Sequence, residues 1–301
     1  MDKYSFVEKL GRGSHGTVYL LETNDSRRVR VVCKSVVEKF IKHAQKEVSI
    51  LKELNNKRII KLIEYIQIKG SSFLILEYAN HGTLDTVIKF FIQKNRKASQ
   101  YLLWSVISQV AEALEYLHKR CIIHRDIKPS NILINQIPSK IDDILEFKLC
   151  DFSLAMELKQ EDDYLESTLV GTPFYMSPEI IQKKKYNNTV DIWSLGVSMY
   201  ELATLNRPFI GENRAELFNS ILTNEINMNI IEDEYLRDLI SMCLQKDNRP
   251  SSKWLSSQDK IRLHIANLEN KFKDSRIAYL ENRLKILESH MKWSPSSPRH
   301  N

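Results

Sequence analysis

The chain has 301 residues, a net charge of +6 and an apolar share of 43%, enough for a large buried core and too apolar for wholesale disorder. Residues 256–301 hold nine Lys/Arg against five Asp/Glu, so much of the positive charge sits on an appendage. A nucleic-acid binder more often concentrates it on the folded body, and no nucleic-acid partner is expected.

Four scattered cysteines without a C-x-x-C pair argue against a zinc site or a disulfide framework and fit a reducing compartment. The opening Met1-Asp2-Lys3-Tyr4 lacks the apolar core of a signal peptide, and no apolar run reaches membrane-spanning length. A soluble protein of the cytoplasm or nucleus, with no membrane partner, is therefore expected.

The first forty residues read as antiparallel strands. Tyr4 to Leu10 leads into Gly11-Arg12-Gly13-Ser14-His15-Gly16-Thr17-Val18, and a β-branched run from Val29 to Val37 contains Lys34. Three folds use a G-x-G-x-x-G. A dinucleotide fold wants a helix directly after it and an acid about 20 residues on; here a strand follows, and Lys34 stands 18 residues past Gly16. A Walker loop wants Lys-Ser/Thr after the last glycine, where Thr17-Val18 stand. What remains is a glycine-rich hairpin whose backbone N–H groups can lie over phosphates, or a plain glycine turn.

Residues 39–54 read as a helix. Glu47 within it is the candidate partner of Lys34, because a buried lysine needs an opposite charge, although a solvated helix face is the simpler alternative. Lys61 to Ile68 and Phe73 to Leu76 read as strands, Glu77 to Gly82 as a connector, and the rest as mainly helical, with a boundary near residue 79. From Gln100 to His118, Leu103, Ile107, Val110, Leu114 and Leu117 recur at steps of four and three, one core-facing stripe.

His124-Arg125-Asp126-Ile127-Lys128-Pro129-Ser130-Asn131 then gathers a carboxylate, two cations and a carboxamide in eight residues. Phosphoryl transfer needs such groups. A lone His-Arg-Asp matches by chance; the full register does so far less often. An unusually long link, Asn135 to Glu146, precedes Asp151-Phe152-Ser153. The helix Thr189 to Leu205 is apolar nearly all round, so Asp191 at its start needs backbone donors.

Beyond Trp254 runs a charged helix with two seams. Ile261, Ile265, Leu268 and Phe272 form the first; Ile277, Leu280, Leu284, Leu287 and Met291 form the second, offset by a five-residue step. Such seams suit coiled-coil pairing, and hence a homodimer through the C-terminal helix, or a helix folded back on its own chain. Residues 294–301 read as a disordered end.

The glycine hairpin, Lys34, Glu47, the His124–Asn131 stretch, Asp151-Phe152-Ser153, Gly171 to Glu179 and Asp191 together resemble the eukaryotic protein-kinase family over residues 4–255. The resemblance implies an α+β, bilobal protein-kinase fold with a β-rich N-lobe (4–79) and a helical C-lobe (80–255). A helical or coiled-coil extension follows over 256–293. It also implies ATP and Mg2+ as cofactors and protein substrates as partners. By motif position, Gly11, Arg12, Gly13, Ser14, His15 and Gly16 would cover the phosphates, and Lys34, oriented by Glu47, would hold two of them. Asp126 would accept the substrate hydroxyl's proton, Lys128 would steady the γ-phosphate, and Asn131 and Asp151 would ligate magnesium. Val18, Val32 and Leu133 would enclose adenine, Glu77 and Ala79 would offer hinge backbone groups, and Leu76 would guard the back pocket. Asp191 would support the catalytic loop, and Glu179 would pair with Arg249.

Lys128 and Gly171-Thr172 resemble the serine/threonine group. Val170-Gly171-Thr172-Pro173-Phe174-Tyr175-Met176-Ser177-Pro178-Glu179 is most similar to the NIMA-related (NEK) kinases, which implies a cell-cycle or microtubule-linked role. Neither Thr83 nor Ser130 is acidic, so no strong arginine-directed preference is expected. Thr168 matches a position where related kinases take an activating phosphate, with Arg125 its natural partner. Ser153 replaces the glycine of Asp-Phe-Gly and restricts φ there. The intact Lys34, Asp126, Asn131 and Asp151 argue against a catalytically dead scaffold.

Overall fold

The computed structural model describes residues 3–13, 16–68, 70–139, 143–158, 165 and 169–291. Strands β1 (Tyr4–Arg12), β2 (Gly16–Thr23) and β3 (Arg30–Val36) are followed by helix α1 (Ile41–Glu53), then by β4 (Leu62–Ile68) and β5 (Ser71–Glu77). The strands form one antiparallel sheet in the order β1-β2-β3-β5-β4. Side chains alternate between faces of a strand, so Val31 and Cys33 of β3 pack with Ile75 in one cluster while Val32 and Lys34 point to the other side. Helix α1 lies against that second side, burying Ala44, Val48 and Leu51 in the main core.

The C-terminal lobe is mainly helical. Helix α2 (Leu84–Lys94) opens on a capping box between Thr83 and Thr86, which satisfies two otherwise orphaned N–H groups. Helix α3 (Gln100–His118) follows, and then the short strand β6 (Ile122–Ile123). Strands β7 (Ile132–Ile137) and β8 (Ile144–Leu149) form a hairpin, and β9 (Met156–Glu157) pairs with β6. Helices α4 (Pro178–Ile181), α5 (Thr189–Thr204), α6 (Arg214–Thr223), α7 (Glu234–Cys243), α8 (Ser252–Ser256) and α9 (Asp259–Met291) complete the order. The sequence reading of a helix apolar all round holds for α5: Val190, Ile192, Trp193, Leu195 and Val197 are at most 1% exposed. Each such side chain contributes roughly 1.5–3 kcal/mol of burial.

Two expectations change in detail. The long link from Asn135 to Glu146 is strand at both its ends, since pairing continues from Asn135↔Glu146 to Ile137↔Ile144. The first seam of the tail faces its own chain: α9 packs on α3, α8 and β8, with Ile261 and Leu268 only 1% and 2% exposed. In the second seam Ile277, Leu280 and Leu284 are 55%, 44% and 58% exposed. Residues 292–301, with the expected disordered end, lie outside the described residues. Among the described residues no helix is long and apolar enough to cross a membrane.

Candidate active site

The site lies between the sheet and the helical lobe, and close backbone packing shapes its upper wall. Gly16 opposes Val36 across β2 and β3, and a Cβ there would stand 1.8 Å from the Ser35 carbonyl oxygen. Only glycine lets the strands come this near. The Gly13 N–H donates to Gly16 O at 2.9 Å within the turn, while Gly11 and Arg12 pair with Val18 and Thr17.

Lys34, central in β3, donates to both Glu47 oxygens at 2.8 and 3.0 Å and to Asp151 Oδ1 at 2.8 Å. Burial alone would lower its pKa, but the two carboxylates outweigh that and hold it above the ordinary lysine range. Glu47, 1% exposed, also accepts the Phe152 N–H at 3.3 Å. Burial works to raise the Asp151 pKa; Lys34 and a hydrogen bond from Ser153 overcome it and hold the carboxyl below the usual range. Ser153 belongs to a 3₁₀ turn, Phe152–Leu154, so the restriction expected from replacing glycine carries no conformational penalty. Its hydroxyl instead serves the neighbouring carboxylate.

The second cluster centres on Asp126. Its Oδ2 accepts from Lys128 Nζ at 2.6 Å and from Asn131 Nδ2 at 2.9 Å. Its Oδ1 accepts from the Thr172 hydroxyl at 2.8 Å and the Thr172 N–H at 3.1 Å. Lys128 also donates to Thr172 Oγ1 at 2.6 Å. Thr172 is delivered by Gly171, which has φ +102° and whose Cβ would meet Arg125 O at 2.8 Å. The Asn131 amide nitrogen is engaged with Asp126 O as well, at 2.8 Å, which turns its amide oxygen away from that carboxylate. The oxygens of Asn131 and Asp151 suit a hard cation such as Mg2+.

Asp191 ties this loop down from below. Its carboxylate accepts the N–H groups of His124 and Arg125 at 2.9 and 2.8 Å and meets His118 Nε2 at 3.0 Å. Burial opposes its ionisation, but the bond and charge of His118, with the charge and N–H of His124, hold its pKa below the usual carboxylate range. These bonds fix Arg125 at φ 65°, and Asp151 has φ 62°, conformations that cost about 1–3 kcal/mol each for non-glycine residues. The His124 ring packs on Phe152 with centroids 4.7 Å apart.

On the adenine side of the expected site, Val18 and Val32 are half-buried in β2 and β3 and Leu133 is half-buried in β7. Val32 pairs with Leu76, which is 8% exposed. Glu77 and Ala79 lie at the end of β5 and in the connector to α2. The Arg125 guanidinium donates to Leu154 O at 2.7 Å and Tyr186 Oη at 2.8 Å, and Glu179 pairs with Arg249. Burial pushes the Cys150 thiol up, which makes it a poor nucleophile. Ser14, His15 and Thr168 lie outside the described residues.

Sequence reasoning missed a polar group behind the hinge. Arg58 is fully buried, with Nε 2.8 Å from Glu112 and Nη1 2.6 Å from Gln109. Lys148 donates to Lys57 O at 2.9 Å and Glu77 Oε1 at 3.2 Å. Arg58 follows Asn55-Asn56-Lys57 and reads as part of a solvated loop.

Residues 4–259 match the protein kinase domain family. Probable serine/threonine-protein kinase nek3 of Dictyostelium discoideum is 37% identical over 261 residues, covering 83% of this chain and 23% of that protein. Serine/threonine-protein kinase Nek5 of Homo sapiens is 35% identical, covering 72% of this chain and 30% of that one. Calcium/calmodulin-dependent protein kinase type 1 of Macrobrachium nipponense is 31% identical, covering 89% and 78%. The chain thus spans under a third of the two Nek-named proteins.

Proposed function

The chain belongs to the protein kinase family, of the serine/threonine, NEK-like type, and from that premise we propose that it transfers the γ-phosphate of ATP to serine and threonine hydroxyls of protein substrates. Residues 4–255 form the proposed catalytic unit, divided near residue 79, with 256–293 as a tail. The observation that carries the reading is the pair of charge clusters: Lys34 joined to Glu47 and Asp151, and Asp126 joined to Lys128, Asn131 and Thr172.

Bound Mg-ATP supplies the reactive phosphoryl group and the metal's charge. Asn131 and Asp151 are the proposed metal ligands, and Lys34 the cation for the inner phosphates. Gly11, Arg12, Gly13, Ser14, His15 and Gly16 are the proposed residues that would cover the phosphates. Val18, Val32 and Leu133 are the proposed adenine contacts, with Leu76 at the back and Glu77 and Ala79 offering backbone groups. Asp126 orients the acceptor hydroxyl and takes its proton, while Lys128 steadies the transferring phosphoryl. The test is transfer from labelled ATP to casein with phosphoamino-acid analysis. Label on serine or threonine supports the reading; label on tyrosine alone, or none despite bound ATP, refutes it.

Three narrower proposals accompany it. Thr168 takes an activating phosphate facing Arg125, supported by a second cation, Lys46, close enough to Arg125 for their charges to interact; an unchanged rate for Thr168→Ala would remove it. The exposed seam of α9 pairs two copies, supported by the three- and four-residue steps from Ile277 to Met291, and sedimentation of Leu280→Glu beside wild type tests it. A cytoplasmic or nuclear setting is supported by four free cysteines and is checked by imaging the tagged chain.

A further inference from the structure

Lys57 stands where three parts of the molecule meet. Its side chain leaves toward the tail: Nζ lies 2.7 Å from Glu269 of α9 and 3.9 Å from Glu112 of α3. Its backbone faces the opposite way, its carbonyl accepting from Lys148 Nζ at 2.9 Å. Lys148 in turn reaches Glu77 Oε1 at 3.2 Å, and that oxygen also accepts the Lys61 N–H at 2.8 Å. Glu77 ends β5 at the strand that would meet adenine. A continuous path therefore runs from the tail helix to the hinge: two ion pairs, Glu269–Lys57 and Lys148–Glu77, joined through the Lys57 backbone carbonyl.

The lengthened β7–β8 hairpin supplies further parts of this frame. Glu146 stands 3.6 Å from Lys148 and 3.8 Å from Arg58. Gln136 exchanges two hydrogen bonds with the Asn80 side chain beyond the hinge, at 2.7 and 2.9 Å. Lys148 is buried, and a buried cation holds its place only while its partners hold theirs. Helix α9 is itself fixed on α3, with His264 bonded to Ser105 at 2.9 Å and Leu268 buried.

We infer that α9 positions the adenine-binding hinge, with Glu269, Lys57 and Lys148 as positioning residues that act through Glu77 without touching the reacting atoms. This inference rests on the kinase reading above. The Lys57–Glu269 pair is half-exposed, so its effect is modest: such pairs are worth little by themselves, and Glu269→Gln should weaken ATP binding about two- to fivefold, a shift of up to about 1 kcal/mol. Lys148→Met, which leaves partly exposed Glu77 and the more buried Glu146 without that cation, should weaken it further.

The test is direct binding of a fluorescent, non-hydrolysable ATP analogue to the full chain, with KM and kcat measured alongside. Glu269→Gln should raise the dissociation constant and the KM for ATP together while kcat holds. The exchange Lys57→Glu with Glu269→Lys should recover most of the loss, which a general loosening of the fold would not do. Tight analogue binding by wild type with equal affinity in Glu269→Gln and Lys148→Met overturns the inference and leaves the kinase reading intact. Absence of analogue binding by wild type overturns both.

Discussion

Lys34 Nζ lies 2.8 Å from Asp151 Oδ1, joining the middle of β3 to the segment that follows β8 in the other lobe. The same ammonium is 2.8 Å from Glu47 of α1, so one cation fixes three elements. Removing either carboxylate should therefore disturb the cleft without exposing a wholly unpaired charge.

For Glu47→Gln, Asp151 remains as the partner of Lys34. We predict a loss of kcat/KM of about tenfold or more, equivalent to at least about 1.4 kcal/mol, together with a lower Tm. Steady-state kinetics and thermal denaturation of the same preparation check it. Wild-type values in both would mean that the pair does not organise the site.

Gly16→Ala should be costly for a steric reason. The added methyl would lie 1.8 Å from Ser35 O, so β2 and β3 must separate, at about 1–3 kcal/mol. A nucleotide-binding assay should show weaker affinity and denaturation a lower midpoint; a variant as stable as wild type would contradict this packing.

Ser153→Gly would restore the residue usual in related kinases. Because Ser153 sits in a 3₁₀ turn and bonds Asp151, the change should destabilise by about 1 kcal/mol through added chain entropy and a lost hydrogen bond. Urea denaturation measures this. A stabilised glycine variant would show that the serine is strained.

The charge clusters of the candidate site were legible because each proposed role requires a particular residue type at a fixed register: Lys34 on a strand, Glu47 on a helix, Asp126 and Asn131 five apart. The frame behind the hinge was not. Lys148 finds Lys57 and Glu77 across 91 and 71 positions, and nothing local marks a lysine as buried. At Ser153 the sequence shows a backbone restriction, whereas the hydroxyl's bond to Asp151 depends on the fold. The first seam of α9 was ambiguous in principle, since pairing with a second helix and folding back on α3 demand the same apolar stripe.

Acid should weaken the anchor of the His124–Asn131 loop. The pKa of Asp191 is lowered in the folded chain, its hydrogen bonds and the charges of His118 and His124 outweighing burial. Its ionised form therefore adds stability above the unfolded Asp value of about 3.9, and that contribution is lost as pH falls below it toward the folded value. Asp151, lowered mainly by Lys34 against its burial, acts with the same sign. Tm measured between pH 6 and about pH 3 should fall more steeply for wild type than for Asp191→Asn in the acid part of that range. Parallel profiles would contradict the assignment.

The most direct measurement is phosphate transfer by Asp126→Asn beside wild type, with ATP binding recorded for both. Asp126 is held through both oxygens by Lys128, Asn131 and Thr172 and is the proposed recipient of the acceptor's proton, whereas the proposed adenine contacts lie on β2, β3 and β7. Transfer should fall about 10²- to 10⁴-fold while ATP affinity stays within a few fold. Transfer undiminished in Asp126→Asn would contradict the central claim that this carboxylate is the catalytic base.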